Sequence, residues 1–135
     1  MIKKMLIATT ALAVLASSAA ILSSGSAMAQ GIKRTPLQKV EFPKGYNIVT
    51  VIAEIAPNTL AGRHTHPGVD TGYVVEGEAT LIVAGKPDQL LKAGDSYAVP
   101  AGVEHDVKTG DKPLKLMAVY VVEEGKPVAT PVAAK

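Results

Sequence analysis

The 135-residue chain has no cysteine and no tryptophan, a single phenylalanine and only three histidines. Without cysteine it forms no disulfide and uses no thiolate, so it can fold in an oxidising compartment unaided, and a lipid-modified cysteine is excluded. With aromatics at 4%, its core is aliphatic. Excess charge is lacking too. The formal net charge of +2 equals the contribution of Lys3 and Lys4, which leaves the rest of the chain balanced. A balanced chain has no strong electrostatic attraction for nucleic acid or an anionic membrane surface.

A long apolar span is also missing. Lys3 and Lys4 form a basic start, Met5 to Ala16 an apolar run, and Ser17 to Ser26 a small, mildly apolar stretch that ends at Ala27-Met28-Ala29. A membrane-spanning helix needs about 20 strongly apolar residues, and Ser, Gly and Thr dilute this run before that length. The pattern is that of a secretory signal peptide, residues 1–29, cleaved after Ala29. It predicts a periplasmic or secreted protein with no stable membrane anchor after cleavage. The mature chain, Gln30 to Lys135, has the length of one domain with a modest core.

What the mature chain does have is strands. Asn47 to Ala56 carries Val49, Val51, Ala53 and Ile55 on one face and Ile48, Thr50, Ile52 and Glu54 on the other, a strand mostly buried on both sides. Thr71 to Val75 and Glu78 to Val83 flank Glu76-Gly77, which reads as a hairpin turn. Gly85 and Pro87 mark another turn. Gln89–Lys92 and Ser96–Val99 are short strands, and Glu104–Lys108 and Lys115–Val122 complete the set. No segment of the mature chain shows a helical period, so the fold class is all-β, a sandwich or barrel. The segment 125–135, with Pro127 and Pro131 among small residues, reads as a flexible or docking C-terminal tail after a domain spanning 30–124.

Two of the three histidines, His64 and His66, lie one residue apart. Alternate strand residues point to one face about 6.6 Å apart, so both imidazoles can aim at one point. Pro67-Gly68 then turns the chain, and Asp70 opens the next strand. His105 follows the turn Pro100-Ala101-Gly102, which can return it to the interior. Three imidazoles and one carboxylate suit a divalent transition metal and leave coordination positions open. Glu104 and Asp106 flank His105 and point away from it. By the same parity Arg63 and Tyr73 face outward, Gly72 either leaves space beside the site or serves plain packing, and Tyr97 and Tyr120 are better read as core packing than as pocket lining.

In this pattern the chain resembles a single-domain cupin. The first motif of that family, His-x-His, three or four residues, Glu, six residues, Gly, is matched by His64-Thr65-His66, Asp70 and Gly77. The second, Gly, five residues, Pro-x-Gly, two residues, His, three residues, Asn, is matched by Gly94, Pro100-Ala101-Gly102, His105 and Thr109. Asp70 stands where Glu is usual and is one methylene shorter. Thr109 stands for Asn at a position that is more structural than chemical. The resemblance covers about Leu37 to Val122. It implies a cupin-type β-barrel, a jelly-roll-like double-stranded β-helix. It also implies one metal per chain (Fe, Mn, Ni or Zn) held by His64, His66, Asp70 and His105, with Asp70 the candidate base. A homodimer is implied as well.

Cupins share a fold and differ in function. The chain looks most like small quercetin-dioxygenase-like members, which implies a metal-dependent dioxygenase-like enzyme for a small enol- or phenol-type substrate. A non-catalytic module that binds a metal or small molecule is the alternative, and a barrel that has kept the motif without using it is the third.

Overall fold

The computed structural model describes residues 30–133. The signal peptide expected over residues 1–29 falls outside them. Ten strands follow in chain order: β1 (Ile32–Glu41), β2 (Tyr46–Ile55), β3 (His64–Thr65), β4 (Asp70–Glu76), β5 (Glu78–Val83), β6 (Gln89–Lys92), β7 (Ser96–Val99), β8 (His105–Thr109), β9 (Leu114–Glu123) and β10 (Thr130–Pro131). They form two five-stranded sheets, β1-β2-β9-β4-β7 and β10-β3-β8-β5-β6, with every pair antiparallel. No helix occurs among the described residues, and the all-β, jelly-roll-like architecture expected from the sequence is observed.

Strict alternation drives the inner strands. Along β9, Leu114, Leu116, Ala118, Tyr120 and Val122 are buried, and the residues between them are half-buried on the outer face. β2 buries Val51, Ala53 and Ile55 beside them, as read from the sequence. Leu81, Val83 and Val107 close over them from the second sheet. The resulting core is aliphatic and fills most of the space between the sheets.

One expectation is corrected. Glu76-Gly77 is not a hairpin turn, because β4 and β5 lie in different sheets and do not pair. Instead Gly77 is the corner where the chain crosses over. Its φ of +82° suits glycine, and a Cβ there would run into the Pro113 carbonyl oxygen. Two β-rich runs around a Glu-Gly pair satisfy the hairpin pattern locally, but both edges of β4 already have partners in β7 and β9.

Of the two alternatives for the segment after Glu124, a flexible or a docking tail, the described residues follow the docking one. β10 pairs with β3, Thr130 opposite Thr65 and Pro131 opposite His64, and Val132 N–H donates to the Arg63 carbonyl at 2.9 Å. Polar, proline-containing composition conceals such a strand, because its hydrogen bonds are main-chain and its side chains stay exposed. The same reason hid β1, an edge strand with Pro36 beside a bulge and almost every residue exposed.

Candidate metal centre

Strand register assembles the site at one end of the sandwich. In one sheet His64 lies opposite His105, and His105 opposite Val83. In the other, Asp70 lies opposite both Tyr120 and Val99. His66 follows β3 directly. Its carbonyl accepts from Gly102 N–H at 2.9 Å, which ties the Pro100-Ala101-Gly102 turn to the His-x-His segment. His66, His105 and Asp70 are buried, and His64 is half-buried. The imidazole centroids are separated by 4.8 Å (His64–His66), 4.4 Å (His64–His105) and 5.1 Å (His66–His105).

The hydrogen bonds select one tautomer for all three rings. His64 Nδ1 contacts the Gly62 carbonyl at 2.6 Å, His66 Nδ1 the Val128 carbonyl at 2.6 Å, and His105 Nδ1 the Val103 carbonyl at 2.9 Å. A carbonyl oxygen only accepts, so each Nδ1 carries the proton and donates. Each neutral ring then presents its Nε2 lone pair, the arrangement in which an imidazole ligates a metal while its other nitrogen is held by the protein.

Those nitrogens fit an ion. His66 Nε2 and His105 Nε2 are buried with no hydrogen-bond partner, which is costly unless something completes them. One nitrogen from each of the three histidines lies within 4.8 Å of the others. The centre of a triangle that size is no more than about 2.8 Å from each corner, against a metal–imidazole bond of about 2.0–2.1 Å, so a sub-ångström inward movement closes the three on an ion.

Asp70 borders this triad. Its Oδ2 lies 3.3 Å from His105 Nε2 and 3.6 Å from His66 Nε2. Its Oδ1 accepts from the Tyr97 hydroxyl at 3.2 Å. Burial lowers the pKa of His64 and of His66, and the neighbouring imidazoles lower both further. His105 differs. Burial would lower its pKa as well, but the Asp70 carboxylate and the Val103 carbonyl outweigh burial and raise it. Burial and then the Asp70 charge push the Tyr97 phenol far above its usual value. The same causes push Tyr120 up to about 12, and Arg34 partly opposes them. Both phenols are therefore neutral hydroxyls at physiological pH.

Three participants were missed or undervalued in the sequence. Tyr97 and Tyr120 are not packing alone: one holds Asp70, and the other lies against the His66 ring with centroids 4.6 Å apart. Alternation along β9 marks Tyr120 as inward-facing, and the strand register then sets it opposite Asp70. Arg34 sits on the unread strand β1, opposite Ala53 and so on the inner face of its sheet. Its positive charge acts on the Tyr120 phenol, and on His64 and Tyr97 as well.

The supporting residues fall where parity places them. Arg63 faces outward and pairs with Glu104 at 3.5 Å, and Tyr73 is exposed. Asp106 points away from the triad, is buried, and accepts from Gly62 N–H at 3.0 Å, which anchors the loop leading into His64. Thr109 is structural: its hydroxyl donates to the Ala56 carbonyl at 2.7 Å and accepts from Thr59 N–H at 2.9 Å. Gly72 leaves space, but for the Tyr97 ring, since a Cβ would lie 2.6 Å from Tyr97 Cε1. A groove of about 650 Å³ lined by Ile32, Glu54, Leu114 and Lys115 lies at the far ends of β2 and β9, away from the histidines.

With fold and site in place, comparison with known proteins identifies the family. The profile of the cupin domain family (Cupin_2) matches residues 51–120, and the chain belongs to that family. It is 31% identical over 57 residues to the dimethylsulfoniopropionate lyase DddQ of Ruegeria pomeroyi, a match covering 42% of this chain and 28% of the lyase. The chain thus spans well under half the length of the curated relatives it matches. Among solved structures it is similar to a cupin-like protein of Thermotoga maritima (TM-score 0.64, 22% identity, 81% of this chain and 82% of the other). It is also similar to the polyketide cyclase RemF of Streptomyces resistomycificus (TM-score 0.63, 22% identity, 79% and 75%). These structural likenesses carry the fold alone. Relatives of this fold include enzymes of more than one reaction type.

Proposed function

We propose that the protein is an exported cupin that holds one divalent transition metal (Fe, Mn, Ni or Zn) on His64, His66 and His105 with Asp70 as a fourth ligand, and that it acts on a small organic substrate of enol or phenol type. The observation that carries this reading is the convergence of three imidazoles whose Nδ1 atoms are all committed to backbone carbonyls, with two of the Nε2 atoms buried and unpartnered. When bound, the ion supplies a Lewis acid that polarises a chelating oxygen. The chain's own residues do the rest. Tyr97 fixes Asp70 in one rotamer. Asp70 offers its second oxygen as a ligand or as the proton acceptor of a dioxygenase-like reaction. Arg34 adds positive charge on the β1 wall, which suits a substrate that is, or becomes, anionic. The aliphatic core beneath excludes water.

Export places the protein in the periplasm or outside the cell, and the family resemblance supports a homodimer. An intact mass beginning at Gln30 and the molar mass in solution test these two points. For the centre itself, the deciding experiment is metal analysis of mature protein purified without added metal, followed by dioxygen uptake and turnover assays with enol and phenol chelators. A protein that neither carries nor takes up a divalent metal sinks the proposal.

A second reading, a non-catalytic binding module, is favoured by one observation. Asp70 Oδ1 is already engaged by Tyr97, which leaves Oδ2 as the single carboxylate oxygen beside the imidazoles, and the other ligand-grade groups of the cluster are histidines. Stoichiometric metal or ligand binding without turnover decides for it.

A further inference from the structure

The three Nδ1 contacts are not alike. His64 and His105 each donate to a carbonyl two residues earlier in their own segment, Gly62 and Val103. His66 donates to Val128, 62 residues away, in the C-terminal segment. The local chain therefore orients two of the imidazoles, and a distant strap orients the third.

The strap is built to be there. The chain leaves β9 through a turn in which Glu124 N–H donates to the Gly45 carbonyl and Lys126 N–H to the Glu123 carbonyl. It then runs back to the site, where β10 pairs with β3 and Val132 N–H donates to the Arg63 carbonyl. On its other side β3 has little support: two residues long, it meets β8 only at His64 opposite His105. So the segment bearing His64 and His66 is clamped between β8 and the C-terminal segment. The strap's side chains are largely exposed and bury little apolar surface, so it is held by a few main-chain hydrogen bonds. Segments held that way open more readily than the core.

We infer that the C-terminal segment from Val128 to Val132 is a positioning element of the metal centre, and that its docking and metal binding at His66 are energetically coupled. This rests on the metal-binding reading above. With the strap docked, the Val128 carbonyl holds the proton on His66 Nδ1 and aims Nε2 at the ion. With it undocked, the ring is free to rotate and to take the other tautomer, and one of three imidazole ligands is no longer preorganised. Coupling is reciprocal: whatever factor strap docking contributes to metal affinity, the metal contributes to strap docking. A partner that captures the strap would loosen the metal, and loss of the metal would loosen the strap.

Removal of residues 127–135 keeps the turn after β9 and deletes the Val128 carbonyl. Zn(II) affinity, measured against a competing chelator, is expected to fall about 10–100-fold, the usual cost of losing an outer-shell partner. Val132→Pro, which removes the donor to Arg63 and leaves the rest of the strap, is expected to give a smaller loss in the same direction. Two readouts on the full-length chain separate positioning from mere stability. Nitrogen-15 NMR of the metal-free protein is expected to show His66 as the Nδ1–H tautomer, and as a tautomer mixture in the truncated chain. Hydrogen exchange at the Val132 amide is expected to slow on Zn(II) loading by about the factor that truncation costs in affinity. Equal zinc affinity with and without the strap, or Val132 exchange indifferent to zinc, overturns the coupling and leaves the metal site standing. A full-length chain that binds no zinc overturns both. The tautomer measurement needs no metal and tests the positioning by itself.

Discussion

The Tyr97 hydroxyl donates to Asp70 Oδ1 at 3.2 Å, and that one bond decides which oxygen of Asp70 faces the histidines. The two residues lie on neighbouring strands β7 and β4, with Tyr97 opposite Gly72 and Asp70 opposite Val99. Because Gly72 has no side chain, the Tyr97 ring can lean across it toward Asp70. The phenol stays protonated, since burial and the Asp70 charge raise its pKa far above neutral, so it acts as a fixed donor. The other oxygen, Oδ2, is left beside His66 Nε2 and His105 Nε2.

Tyr97→Phe removes the donor and keeps the ring. Asp70 Oδ1 is then buried without its partner, at a cost of about 1–3 kcal/mol in stability. Asp70 also gains rotameric freedom, so metal affinity is expected to fall by up to about tenfold, the mild end of outer-shell effects. Denaturant melts and chelator competition check both. A variant as stable and as tight as the parent would show that this hydrogen bond has no bearing on the site.

Gly72→Ala reaches the same pair from the other side. The added methyl would lie 2.6 Å from Tyr97 Cε1 and 2.8 Å from the Met117 carbonyl oxygen, and both contacts must be relieved. Backbone in the middle of a sheet yields less than a ring, so Tyr97 is displaced from Asp70. The expected outcome is a loss of about 1–3 kcal/mol from overpacking, with a metal-affinity defect like that of Tyr97→Phe. Tyr97→Ala should recover part of the stability lost in Gly72→Ala by removing the clash, and a strictly additive double variant would count against this account.

The ligands themselves come next. His64→Ala, His66→Ala and His105→Ala each delete a buried or half-buried nitrogen aimed at a common point, and each is expected to weaken metal binding by more than about 100-fold, beyond the range seen for outer-shell partners. Metal content per chain after dialysis reads this directly. Retention of full occupancy in all three variants would remove the triad from consideration.

Much of this site was legible because its information is local. The period of two in a strand puts His64 and His66 on one face, and it turns Tyr73, Glu104 and Asp106 away from the triad. Long alternating segments such as β2 and β9 announced themselves for the same reason. What escaped was set by pairing partners distant in sequence. β1 and β10 are edge strands held by main-chain bonds, with exposed, polar or proline-containing sequences, so no apolar alternation marks them. With β1 went Arg34, and with β10 the Val128 carbonyl at His66. The Gly77 crossover was misread because a hairpin and a sheet-to-sheet corner share the same local chemistry. They differ only in where the following strand finds its partner.

Protonation should oppose the metal, and the three imidazoles should not titrate together. His105 has a raised pKa, because Asp70 and the Val103 carbonyl outweigh burial, whereas burial lowers His64 and His66. As pH falls, the proton first competes with the metal at His105, while the pH is still above the ordinary imidazole value of about 6.5. In the metal-free chain the sign for His105 follows from linkage. Its folded-state pKa lies above the unfolded one, so its contribution to stability is complete below about pH 6.5 and is lost as pH rises through the folded value. The stability gap between wild type and His105→Gln, both metal-free, should therefore be larger near pH 6 than near pH 8.5. A gap that grows toward alkaline pH would contradict the Asp70–His105 pairing.

Asp70 remains the residue on which chemistry and mere binding part. Its position beside two Nε2 atoms, in a buried place where its family relatives use Glu, makes it the fourth ligand in the proposed function. If it ligates, Asp70→Asn removes a negative charge next to the cation at nearly constant volume, and metal affinity is expected to fall at least tenfold. Asp70→Glu lengthens the arm by one methylene, about 1.5 Å, toward the same nitrogens. It is expected to retain binding, although it loses the Tyr97 contact in its present geometry. The two variants thus separate charge from reach. If Asn binds as tightly as wild type, three histidines hold the ion alone and Asp70 is a spectator fixed by Tyr97. The centre then has no carboxylate to accept a proton, and the binding-module reading gains over the enzyme. Titrating both variants with Mn(II) and Zn(II) against a chelator, with dioxygen uptake measured on the same samples, distinguishes these outcomes. Turnover that survives in the Asn variant would place the proton acceptor elsewhere.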